Sequence, residues 1–116
     1  MGASIGGTAS LVAASIISPP VNGVASLSGP AAYSVMDGMA AAQLLRIQVL
    51  FMAAQNDQER PYDFPRDARA MYAACPSSHK QLVIVPGNDH GSEMLTGNAS
   101  DQARRALEEF IAKATS

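Results

Sequence analysis

The sequence of 116 residues predicts an α/β domain of about three parallel strands with flanking helices. Three observations carry that expectation. Ile47-Gln48-Val49-Leu50-Phe51-Met52-Ala53-Ala54 is apolar on both faces apart from Gln48, as a strand covered on both sides should be. Gln81-Leu82-Val83-Ile84-Val85 is a second strand-like run. Between them Ala68, Met71, Tyr72 and Cys75 recur at helical spacing. Strands alternating with helices argue for a parallel sheet joined by right-handed crossovers.

The chain opens on Gly2-Ala3-Ser4-Ile5-Gly6-Gly7, which reads G-x-S-x-G with one further glycine. A serine can sit at the tip of a sharp strand-to-helix turn when its neighbours two positions away lack side chains that would collide there. A helix starting just after Ser4 would point its free N–H groups at negative charge developing on that side chain's reaction partner. The plainer reading is a flexible glycine-rich start. From Gly6 to about Ile17 the residues are small or apolar on every side, and a helix of that kind is normally covered all round. Ser18-Pro19-Pro20 stops it.

Val24-Ala25-Ser26-Leu27 reads as a short, weak strand closed by Ser28-Gly29-Pro30. A short helix from about Asp37 to Leu45 leads into the strong strand ending at Gln55-Asn56-Asp57. Glu59 to Asp63 is expected to be a loop, with Pro65 well placed to begin the next helix and Pro76 following its end. The last strand runs into Pro86-Gly87-Asn88-Asp89-His90-Gly91. Asn98 or Ser100 can cap a final helix. Its stripe of Ala103, Ala106, Leu107, Phe110, Ile111 and Ala114 opposes Arg104, Arg105, Glu108, Glu109 and Lys113.

Composition narrows the functional classes. The net charge is −2, so no basic excess exists to neutralise phosphates, and nucleic-acid binding has no electrostatic support. The single cysteine, Cys75, forbids an internal disulfide and suits a reducing, cytoplasmic compartment. It falls on the apolar helix face and reads as a buried small residue. No Cys/His cluster has metal-ligand spacing, so no metal and no cofactor are expected. Leu11 to Ile17 is apolar but too short to span a bilayer, and it lacks the basic start of a signal peptide. From Met1 to Leu45 the only charged side chain is Asp37, which marks this region as buried or at an interface. Nucleotide binding at the glycines is disfavoured, because no lysine follows them as a P-loop requires.

The order along the chain is serine, then an acid after one strand, then a histidine after the next. That is the triad order of the α/β-hydrolases and differs from chymotrypsin and subtilisin. On Gly2 to Gly7, Val49 to Asp57 and Leu82 to Gly91 the sequence resembles the α/β-hydrolase superfamily, specifically its esterase and lipase-like members. The resemblance runs over nearly the whole chain as a single domain, 1–116, but matches only the C-terminal half of that fold. It implies a truncated α/β-hydrolase fold, with Ser4 as nucleophile, His90 as general base, Asp57 orienting the imidazole and the Ile5 backbone N–H as an oxyanion donor. The substrate it implies is a small-molecule ester.

Asp63 and Asp89 are rival acids, and Asp57 itself has the plainer reading of a loop former after Asn56. His90 has the alternative of an exposed loop histidine, and His79 reads as a solvated turn residue. Only Met1 precedes Gly2, where the family has a full strand, and the loop giving a second oxyanion donor has no counterpart. Half a fold would expose a sheet edge and the apolar face of Leu11, Val12, Ile16 and Ile17, so self-association is expected. Two functional classes follow: a serine hydrolase completed by association, and a hydrolase-derived fragment that associates without catalysing anything.

Overall fold

The structure is a computed structural model that describes residues 1–116. Its sheet has four parallel strands in sequential order: β1 (Gly2–Ala3), β2 (Gly23–Leu27), β3 (Gln48–Ala54) and β4 (Lys80–Val85). The three strands expected from the sequence are its body. The fourth is the two-residue β1, which pairs Gly2 with Ser26 and Ala3 with Leu27, so a strand does lead into the Ser4 turn. Two residues carry no periodicity, and only the ladder with β2 makes this segment a strand.

Helices α1 (Ile5–Ile16), α2 (Gly38–Ala42) and α3 (Phe64–Ala74) fill the three crossovers, and α4 (Ser100–Ala114) ends the chain. Side-chain alternation along β3 divides the core. Val49, Phe51 and Ala53 pack with Leu11 of α1, Ala41 and Ala42 of α2, and Ala68 and Met71 of α3. Leu50, Met52 and Ala54 face the other way, onto Ala103, Leu107 and Phe110 of α4. The sheet is therefore sandwiched at β3, and each large side chain buried there contributes about 1.5–3 kcal/mol relative to exposure.

Two helices have acidic N-caps. Asp37 accepts a hydrogen bond from the Ala40 amide at 2.9 Å, and Asp63 accepts one from the Arg66 amide at 3.1 Å. The start of α4 differs from expectation, since neither Asn98 nor Ser100 caps it. A 3₁₀ turn over Gly91–Leu95 runs almost directly into the helix, and the Ser100 amide is satisfied by the Gly97 carbonyl at 3.1 Å.

Helix α1 is not covered all round. Only Gly7, Thr8 and Leu11 are buried, and Ile16 is 74% exposed. The sheet stops at β1, so the outer flank of the helix meets no further layer. Ile111 of α4, expected within the buried stripe, is also exposed. No helix is long and apolar enough to cross a membrane.

Beyond the C-terminal ends of β2 and β3 the chain makes two small antiparallel ladders. One joins Ala32–Tyr33 to Met36–Asp37, and the other joins Gln58–Glu59 to Tyr62–Asp63, inside the segment expected to be a loop. Both rise above the end of the sheet where Ser4, Asp57 and His90 emerge.

Candidate active site

Ser4 stands between β1 and α1 with φ 55° and ψ −128°, a left-handed backbone that a non-glycine residue adopts only when held there. Backbone hydrogen bonds on both sides hold it. Its amide donates to the Leu27 carbonyl at 2.7 Å, and its carbonyl accepts from the Gly7 amide at 2.8 Å. The turn is tight at Gly2, where an added Cβ would lie 2.1 Å from the Gly6 carbonyl oxygen. Gly6 differs from expectation: a Cβ there would meet nothing within 4 Å. It lies in the first turn of α1 and faces outward, so steric need for glycine falls on one side of the serine only.

Asp57 follows β3 in a turn closed by its amide to the Ala54 carbonyl at 3.2 Å, while its own carbonyl accepts from the Phe64 amide. Its side chain is buried and its Oδ2 lies 2.6 Å from His90 Nδ1. His90 Nε2 lies 2.8 Å from Ser4 Oγ. A carboxylate only accepts, so Nδ1 carries the hydrogen in the neutral ring, and Nε2 is left to accept from the serine hydroxyl. The Phe64 ring, 4.5 Å from the imidazole between centroids, packs against it.

The structure thus brings Ser4, His90 and Asp57 into one hydrogen-bonded line at the C-terminal end of the sheet, where open α/β sheets place ligands. Ile5, the first residue of α1, presents an N–H without an intrahelical acceptor beside Ser4. The rival acids lie elsewhere. Asp63 is the cap of α3, and the Asp89 carboxylate packs over Gly97. His79 is exposed in the turn before β4, its amide donating to Ser77 Oγ. Cys75 is buried, with Sγ 3.6 Å from the Leu45 carbonyl.

Ser28, which carries no signal in the sequence beyond a turn, supports the candidate site from below. It is fully buried with φ 57°, its amide donates to the Met52 carbonyl, and its Oγ accepts from the Gly91 amide at 2.9 Å. It thereby ties the ends of β2 and β3 to the loop carrying His90. Asp67, also buried, accepts from the Ala31 amide at 3.0 Å and fixes the segment after Pro30.

A pocket of about 260 Å³ opens on Ser4 and His90, walled by Ile5, Pro30, Tyr33, Tyr62 and Phe64, with Glu59 and Arg60 also lining it. A larger cleft of about 470 Å³ lies at the opposite end of the strands among Val21, Gly23, Phe110 and Ile111. No acid, histidine or cysteine lines it, whereas Ser4 and His90 both line the smaller space.

A parallel sheet with serine at the turn from strand to helix, an acid past one later strand and a histidine past the next has the architecture of the α/β-hydrolase fold. The chain is similar to the crystal structure of Paleococcus ferrophilus monoacylglycerol lipase, with a TM-score of 0.71 over 95% of this chain. The two are 13% identical, and the match spans 66% of the lipase's length. No family model matches the chain, and no curated protein does.

Proposed function

We propose that the protein is a serine hydrolase acting on small carboxylic esters. The observation that carries this reading is the line from Ser4 Oγ through His90 to Asp57, with spacings of 2.8 and 2.6 Å. The Ser4 hydroxyl attacks the ester carbonyl while His90 Nε2 takes its proton. The Ile5 amide donates to the oxyanion that forms, and Asp57 steadies the ring as it becomes charged. Collapse of the adduct expels the alcohol, whose oxygen receives the proton from His90. Water, deprotonated by the same imidazole, adds to the acyl carbon, and as the bond to Ser4 Oγ breaks and the acid leaves, His90 returns the proton to Oγ.

Fluorophosphonate labelling and hydrolysis of a short-chain aryl ester, compared between the parent and Ser4→Ala, test the reading. Loss of both in the variant is expected. Equal residual rates in the two proteins would overturn it, because a surface imidazole cleaves activated esters slowly without help from any serine.

A second reading, an association module without turnover, is favoured by one observation. Met1, Ile17 and Val21 are exposed around one open space on the flank where β1 is the edge of the sheet, and Ile16, next to Ile17 in the chain, is exposed as well. Self-association through this flank is compatible with catalysis as well, and we propose it for either case. Equal rates in the serine comparison, with a mass of two or more chains, would leave the module reading standing alone.

A further inference from the structure

Four rings stand in a row beside Ser4. The His90 imidazole lies 4.5 Å from Phe64, Phe64 lies 5.8 Å from Tyr62 at an interplanar angle of 13°, and Tyr62 lies 6.3 Å from Tyr33. Tyr33 comes from one small ladder, Tyr62 and Phe64 from the junction of the other ladder with α3, and His90 from the loop after β4, so three stretches of chain converge to build the row. Phe64 is buried, Tyr62 half-buried and Tyr33 exposed, so the row climbs from the imidazole to the mouth of the pocket.

The space it borders, about 260 Å³, suits a small ligand. Glu59 and Arg60, both lining it, are exposed, opposite in charge and without an ion-pair partner, so the mouth has no net preference for a charged group. Chemistry fixes which part of an ester meets the row. His90 must hand its proton to the leaving oxygen, so the atoms beyond that oxygen start next to the imidazole, and its ring neighbour is Phe64.

We propose that the alcohol part of the substrate is a single neutral aromatic ring of benzyl size, held against Phe64, Tyr62 and Tyr33. This rests on the ester-hydrolase reading of Ser4. Flat rings gain from stacked and edge-to-face contacts beyond the area they bury, which an alkyl group of the same size does not.

The test compares kcat/KM for benzyl acetate with that for cyclohexylmethyl acetate, its non-planar counterpart. The parent should favour the benzyl ester. Tyr62→Leu and Tyr33→Leu should each lower the benzyl-to-cyclohexylmethyl ratio, by about 2- to 12-fold, and Tyr62→Phe should keep it. A parent without preference, or a ratio unmoved by both leucine variants, overturns the inference and leaves the hydrolase reading intact. Absence of turnover on both esters overturns the inference if fluorophosphonate still labels Ser4, and fails the hydrolase reading if it does not. The pocket is then decided by titrating benzyl alcohol and cyclohexylmethanol into the parent, observed by NMR. Larger shifts at Tyr33 and Tyr62 with the aromatic alcohol support an aromatic site, and equal or absent shifts overturn it.

Discussion

The Ser28 hydroxyl accepts a hydrogen bond from the Gly91 amide, 63 positions further along the chain, at 2.9 Å. Both partners are buried, and Gly91 adjoins His90. The bond anchors the loop that presents the imidazole to a strand-end residue packed in the sheet. Leaving a buried N–H unpaired costs about 1–3 kcal/mol, so Ser28→Ala is expected to unfold at lower denaturant by that amount. Ser28→Gly separates two effects, since it relieves the φ of 57° but still loses the hydroxyl. If the bond positions His90, both variants should label more slowly with fluorophosphonate at full foldedness. If labelling is unchanged in both, the contact serves stability alone.

The two glycines flanking Ser4 should respond oppositely to alanine. Gly2→Ala drives a Cβ to within 2.1 Å of a backbone oxygen, which no side-chain rotation relieves, and overpacking of this kind costs about 1–3 kcal/mol or more. Gly6→Ala has open space and a helical site, where alanine is worth up to about 1 kcal/mol over glycine. Thermal unfolding of the two variants should therefore move in opposite directions. A matching loss in both would show that the turn needs glycine on both sides.

Ser26 sits buried on β2 with its Oγ lacking any hydrogen-bond partner. It lies against Gly7 and Gly29, close enough that a Cβ at either would fall within 2.5 Å of it. A buried hydroxyl without a partner is a net cost, so Ser26→Ala should raise stability by on the order of 1 kcal/mol. Equilibrium denaturation with an unchanged slope is the measurement. A loss instead of a gain would mean that the oxygen is needed for packing between α1 and the sheet.

How much of this was legible depends on whether the signal is local. The strand β3 was plain because every residue but Gln48 is apolar, which is what covering on both faces demands. The order of Ser4, Asp57 and His90 was legible for a related reason, as each lies in a turn near a strand and the topology gathers strand ends. β1 was not, because a strand of Gly2 and Ala3 exists only through its ladder with β2. Ser28 read as a turn residue before Gly29-Pro30, and its bond to Gly91 has no trace in either segment. The aromatic row was hidden in the same way, because Tyr33 and His90 lie far along the chain from the Tyr62–Phe64 pair that joins them. The covering expected around α1 failed because composition reports that a face is apolar and not whether a layer exists to meet it.

Association is the remaining prediction, and it concerns that uncovered flank. Sheet order leaves one side of β1 without a neighbouring strand, and an open edge is a template for pairing. Beside it Ile17, 50% exposed, shares one open space with Met1 and Val21, and the neighbouring Ile16 is 74% exposed, while large apolar patches are rare on soluble monomers. Light scattering at micromolar concentration should give a mass of at least twice the 12.1 kDa chain. Ile16→Lys combined with Ile17→Lys should return it to a single chain. Both residues are at the exposed C-terminal end of α1, so the double variant should keep the parent's circular dichroism. A parent that is monomeric from the outset overturns the association. A parent oligomer that the lysines leave intact would move the interface away from α1.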